Sequence, residues 1–186
     1  MKQVVIVSGS MREGNTLGIA KIYETLFQAE GYSTEVIALS DKQYTFCNGC
    51  LACDETQECI IKDGFNNVIE KIRNADLIVF GTPARWRLLS GELKTFLDRL
   101  NPYAAIEGYA GLKVFVYAVG QSDEESVAAI KSAADSVCLF AMDAGMEVLG
   151  TQVFCNLLGE TDYLGIIDDI QDTCLRNVQS LKEDIK

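Results

Sequence analysis

Continuous apolar runs alternate along the chain with longer segments whose apolar residues recur every three or four positions. The first run, Val4-Val5-Ile6-Val7, gives way at once to serine and glycine, the pattern of a strand buried on both faces. A helix is predicted next, from about Thr16 to Glu30, with Ile19, Ile22, Tyr23 and Leu26 on one face and Gly31 as its stop. Thr34–Leu39 reads as a second strand. The segment from Cys47 to Cys59 has no clear period and reads as an ordered excursion.

The alternation then resumes. Asp63-Gly64 opens a helix with Phe65, Val68, Ile69 and Ile72 on one side. Asp76–Phe80 is a third strand, closed by Gly81-Thr82-Pro83. Leu93, Phe96, Leu97 and Leu100 mark the next helix, and Val114–Val119 the fourth strand, ending at Gly120. Val127, Ile130, Ala134, Val137, Cys138 and Ala141 define another helical face. Glu147 to Phe154 is the fifth strand, weakened by Gly150. The last helix starts near Asp162 and turns Ile167, Ile170, Cys174, Val178 and Leu181 inward. Strands and helices in strict alternation imply an α/β fold, a doubly wound parallel sheet, in one domain over residues 1–186. Right-handed crossovers place all strand C-terminal ends on one rim, with a binding crevice at the switch point.

Composition narrows the chemistry. The 186 residues are 48% hydrophobic and 23% charged, and they carry a formal charge of −11. Such a surface repels nucleic acid and anionic membranes. No apolar run approaches the ~20 residues that span a bilayer, and the first run reads as a strand rather than a secretory signal. A cytoplasmic protein is expected, with its seven cysteines reduced. Histidine is absent, which removes Ser-His-Asp and Cys-His catalysis and any His-ligated metal. Chemistry must come from a cofactor, cysteines or carboxylates.

The loop after the first strand reads Ser8-Gly9-Ser10-Met11-Arg12-Glu13-Gly14-Asn15-Thr16 and leads directly into a helix. It brings backbone N–H groups, hydroxyls and a positive helix end to one point, which suits an anion. It is neither Gly-x-Gly-x-x-Gly nor a P-loop with its lysine, so a monophosphate is favoured over a dinucleotide or a nucleoside triphosphate. The plain alternative is a tight turn capped by Asn15 or Thr16.

Gly-Ser-x-Arg-x-Gly-Asn-Thr after a first strand resembles the FMN-phosphate loop of the NADPH-dependent FMN reductase and iron–sulfur flavoprotein families. Ala75–Pro83 resembles their third strand and flavin loop, and Ser90–Arg99 the helix behind it. The likeness covers roughly the first 120 residues. It implies a flavodoxin-like sheet of order 2-1-3-4-5 with the cysteine-rich excursion after strand 2. It further implies FMN as cofactor, with Ser10, Arg12, Gly14, Asn15, Thr16 and Leu17 around the phosphate. Thr82, Pro83, Ala84, Arg85 and Trp86 would lie along the isoalloxazine, and Gly120, Gln121 and Ser122 would add a third contact. Arg85 stands where the family usually has an aromatic. Trp86 reads equally as a core or interface aromatic.

Cys47-x2-Cys50-x2-Cys53-x5-Cys59 is compact enough to surround a small inorganic core. Zinc more often uses two separated Cys-x-x-Cys pairs, and packed or reversibly pairing thiols are the third reading. The resemblance makes Cys47, Cys50, Cys53 and Cys59 the ligands of a [4Fe–4S] cluster. Cys138, Cys155 and Cys174 fall on apolar faces and read as core.

These readings point to an FMN-dependent oxidoreductase. NAD(P)H or ferredoxin would supply electrons, and a small acceptor such as a quinone or free flavin would take them. Arg85 and Arg87 could meet a nicotinamide nucleotide's phosphate or simply be solvated charges. A non-enzymatic electron carrier and a cysteine-based redox sensor are the alternatives. A homodimer or homotetramer is expected by resemblance.

Overall fold

A computed structural model describes residues 1–42, 44–104 and 106–185. Five strands form one parallel sheet in the order β2-β1-β3-β4-β5. They are β1 (Gln3–Ser8), β2 (Ser33–Ala38), β3 (Leu77–Pro83), β4 (Lys113–Val119) and β5 (Glu147–Phe154). The main helices are α1 (Asn15–Ala29), α3 (Phe65–Arg73), α4 (Gly91–Asp98), α6 (Ala128–Asp143) and α7 (Ile167–Asp184). Two short helices, α2 (Cys53–Thr56) and α5 (Asn101–Ala104), were not legible in the pattern.

Alternate residues of each strand enter opposite layers, as the pleat requires. Val5, Val7, Ile78, Phe80, Val114 and Val116 pack under α3, α4 and α6. Val4, Ile6, Leu77, Val79, Phe115 and Tyr117 pack under α1 and α7. The three central strands are buried on both faces, which is why they read as unbroken apolar runs. The edge strand β5 is only half-buried.

Several boundaries differ from the sequence pattern. Gly81-Thr82-Pro83 does not close β3 but extends it, paired with Tyr117, Ala118 and Val119. Tyr117 covers the face of Gly81 on which a side chain would stand, so this glycine continues the strand. Pairing of β4 with β5 steps from Val114↔Val148 to Phe115↔Gly150, leaving Leu149 as an extra residue. Gly150 therefore marks a β-bulge. The last helix is preceded by a 3-10 turn at Asp162–Ile166, and α7 begins at Ile167. Val127 precedes α6 and is exposed rather than packed. Among the described residues no helix is long and apolar enough to cross a membrane.

Candidate functional site

The strand order reverses between β1 and β3, and loops after β1, β3, β4 and β5 surround a cavity of about 470 Å³ on that rim. This volume is in the range that holds small ligands and cofactors. Its walls include Ser10, Arg12, Gly14, Asn15 and Thr16 from the first loop. Pro83, Ala84, Arg85 and Trp86 come from the second, and Gly120, Gln121 and Ser122 from the third. Two expected residues do not line it. Leu17 packs into the layer under α1. The buried Thr82 hydroxyl accepts from Ser90 N–H at 3.0 Å and donates to the Pro83 carbonyl at 3.1 Å.

The first turn of α1 begins at Gly14 without a side-chain cap. Neither Asn15 nor Thr16 serves as the cap that the plain-turn alternative gave them. Asn15, Thr16 and Leu17 are nevertheless buried, so orphan N–H groups of a helix start sit in a sheltered place. Asn15 was expected to offer its amide outward. Instead Nδ2 donates to the Gly159 carbonyl at 2.7 Å, and Oδ1 accepts from Tyr163 N–H at 3.1 Å. Asn15 thus ties the loop after β5 to the loop after β1. Gly14 permits this approach, because a Cβ there would lie 3.0 Å from the Glu160 carbonyl oxygen. Ser10 Oγ accepts from Arg12 N–H at 3.1 Å and shapes the loop. Arg12 is exposed, 3.4 Å from Glu160.

Trp86 is not a core residue. It is 98% exposed at the cavity mouth. Arg85 and Leu88 exchange both main-chain hydrogen bonds, at 2.8 and 2.9 Å. Trp86 and Arg87 between them have φ of 50° and 69°. This is a two-residue turn with both central residues left-handed, a conformation usually given to Asn-Gly.

The cavity also takes in residues that the sequence reading missed: Leu157, Leu158 and Gly159 after β5, and Ile130 of α6. For the three residues after β5, their position just beyond a strand C-terminal end was the one available signal. Leu157 N–H donates to Gly120 O and Asn156 N–H to Ser122 O, both at 3.0 Å. The third and fourth loops therefore form one wall.

Cys47, Cys50, Cys53 and Cys59 share a second, smaller pocket with Asp98, Arg99, Asn101 and Pro102. Asn101 Nδ2 donates to Cys53 Sγ at 3.3 Å. Among the described residues, no three Cys, Asp or Glu side chains converge as around a single metal ion. A four-thiolate cluster binds one cysteine per iron and so spaces its ligands more widely. The donor set and the N–H···S bond fit such a group. The space these side chains enclose is about 30 Å³, and the Cys47–Leu51 arm beside it is exposed. Of the other cysteines, Cys174 is fully buried, whereas Cys138 and Cys155 are half-buried. Burial pushes the Cys174 thiol up to about 12.

The family model for NADPH-dependent FMN reductase matches residues 1–154. An iron–sulfur flavoprotein of Methanocaldococcus jannaschii is 37% identical over 101 residues, 54% of this chain and 52% of that protein. An FMN-dependent NADPH-azoreductase of Staphylococcus aureus is 29% identical over 104 residues, 54% and 53% of the two chains. The chain spans about half the length of these curated relatives. Among solved structures, an NAD(P)H:quinone oxidoreductase from Methanothermobacter marburgensis superposes with a TM-score of 0.72 at 18% identity, covering 94% of this chain and 96% of that one; this likeness shows the fold. With five parallel strands in order 2-1-3-4-5 and a family match that spans all five, the chain belongs to the NADPH-dependent FMN reductase family.

Proposed function

We propose that residues 1–186 act as one FMN-binding unit whose cofactor seats in the rim cavity and turns over NAD(P)H. The observation that carries this reading is the buried, uncapped start of α1 at the mouth of a cavity of about 470 Å³. The N–H groups there can hold a phosphate dianion, while the Asn15 tether keeps the loop after β5 closed over it. Pro83, Ala84 and Arg85 offer a wall for the isoalloxazine, and Gly120–Ser122 the opposite edge. Bound FMN would supply the redox chemistry, accepting a hydride or electrons and passing them to a small acceptor such as a quinone or free flavin. The residues bind, orient and exclude water; no protein acid or base is required of them. Arg85 and Arg87 are exposed at the mouth and offer positive charge to an incoming nicotinamide nucleotide.

In the same reading, Cys47, Cys50, Cys53 and Cys59 hold a [4Fe–4S] cluster, with ferredoxin as a further donor. Support comes from the shared pocket, the Asn101 donor and the iron–sulfur flavoproteins among the relatives. A homodimer or homotetramer accords with Trp86 and Leu88 being exposed beside the cavity.

Anaerobic titration of flavin-free protein with FMN and with riboflavin tests the phosphate cradle. Micromolar uptake of FMN, at least tenfold tighter than riboflavin, is expected, followed by bleaching on addition of NADH or NADPH. Failure to take up FMN at millimolar supply overturns the reading.

A further inference from the structure

Arg99 is the largest side chain in the fully buried set, with 1% of its surface exposed. It lies just beyond α4, inside the layer that also holds Phe65 and Phe96. A buried guanidinium is costly unless each donor is met. Nη1 donates to Asp63 Oδ2 at 2.7 Å and to the Thr45 carbonyl at 2.5 Å, and Nη2 to Asp63 Oδ1 at 2.9 Å. The ring of Phe65 lies 4.7 Å from the guanidinium carbon. Among the described residues, Nε is buried and has no partner. That orphan donor is unusual for so expensive a group.

The pair is oriented. Arg99 lines the cysteine pocket and Asp63 does not. Asp63 instead accepts from the Thr45 and Phe65 N–H groups, at 3.0 and 3.2 Å. Arg99 is thus shared between the cysteine pocket and its carboxylate partner, which is itself held by the backbone. The Asp63 carboxylate pairs the guanidinium at 2.7 Å and offsets the cost of burying its charge. Besides the four cysteines and Arg99, the described residues put one more ionisable side chain on the pocket, Asp98, paired with Lys94 at 2.5 Å.

We propose that Arg99 is a positioning residue for the redox group of the cysteine pocket: its unpartnered Nε–H donates to a sulfur there, and its fixed charge stabilises the reduced form. This rests on the reading that the four cysteines hold a [4Fe–4S] cluster. One-electron reduction adds one negative charge to that centre and transfers no proton. A cation beside it therefore favours reduction, and N–H···S bonds act in the same direction. Asp63 restrains the effect by pairing the far side of the guanidinium.

The test is redox titration of anaerobically reconstituted protein, following the cluster by electron paramagnetic resonance, with iron and sulfide assayed in each variant. Arg99→Gln should shift the equilibrium about tenfold toward the oxidised cluster, equal to a ~59 mV fall for one electron. Asp63→Asn keeps the cation and removes its partner, so its potential should rise. Arg99→Lys, which keeps charge without the fork, should fall less than Arg99→Gln. Opposite shifts at Arg99 and Asp63 support the proposal; a shared direction, or no shift, overturns it and leaves the cluster reading standing. If Arg99→Gln does not fold by circular dichroism, the sign of the Asp63→Asn shift decides. Wild-type protein that binds FMN but no iron or sulfide overturns this proposal together with the cluster, and leaves the flavin reading intact.

Discussion

The Tyr117 hydroxyl donates to the Thr16 carbonyl at 2.8 Å, joining the C-terminal half of β4 to the first turn of α1. The two residues are 101 positions apart in sequence. The ring passes over Gly81 of the intervening strand, and a Cβ on Gly81 would overlap it. The N-terminal end of α1 is thus braced from below by a side chain two strands away.

Tyr117→Phe removes that brace and leaves a buried carbonyl one partner short. A stability loss of about 1 kcal/mol is expected, with FMN affinity falling several-fold as α1 gains freedom. Gly81→Ala should cost more, roughly 1–3 kcal/mol, because the overlap is with a buried ring. Urea melts paired with FMN titrations check both.

Asn15→Asp separates the tether from the anion site. The new carboxylate still accepts from Tyr163 N–H but cannot donate to the Gly159 carbonyl, and it sets a negative charge beside the proposed phosphate. FMN affinity should fall at least tenfold, well beyond the change in stability. Asn15→Ala loses both hydrogen bonds without adding charge, so its stability should suffer more and its discrimination against anions less. Comparing the two by calorimetry at low and high salt separates charge from tether.

Trp86 is the single tryptophan of the chain, and it stands at the cavity mouth. Its fluorescence should be quenched in proportion to FMN bound. The turn that carries it is strained, since two consecutive residues with side chains hold positive φ. Replacing Trp86-Arg87 by Asn-Gly should raise stability by about 1 kcal/mol, or roughly 2–4 °C in melting temperature. The exposed Trp86 side chain buries almost nothing that the change would lose.

The Arg99 guanidinium holds the Asp63 carboxyl down at about 2, well below its usual range. A carboxylate with a depressed folded-state pKa contributes stability that is present above its unfolded value, near 3.9, and is lost as pH falls toward the folded one. Wild-type protein should therefore lose stability relative to Asp63→Asn between about pH 4 and pH 2, and the gap should be constant above pH 5. Urea midpoints measured at half-unit intervals check it.

Much of the sheet was readable because its central strands are covered on both sides. Val4–Val7, Leu77–Phe80 and Val114–Val119 must be apolar throughout, and such runs admit few other readings. Helix faces such as Phe65, Val68, Ile69 and Ile72 were readable for the same reason: one layer of core imposes one period. The first loop was readable because an uncapped helix start needs small residues, and Gly14 is required where the Glu160 carbonyl comes close.

Other features have no local signature. Gly81 looked like a strand end because glycine usually is one; only Tyr117, arriving from β4, makes it a strand interior. Asn15 looked like an outward donor, and only the loop after β5 claims both ends of its amide. Leu157 and Leu158 carry no motif and enter the cavity because right-handed crossovers bring β5 to the same rim. Arg99 was only the last residue of the Ser90–Arg99 stretch, and the fold buries it beside Asp63 and the cysteine pocket.

Local pattern and turn chemistry thus sufficed for the sequence to determine an alternating α/β sheet, the loop that leads from its first strand into a helix, and a compact run of four thiols. Tertiary structure decided which hydrophobic and polar groups meet across the rim, because those contacts join residues far apart in the chain and their energies depend on burial that no short window of sequence contains.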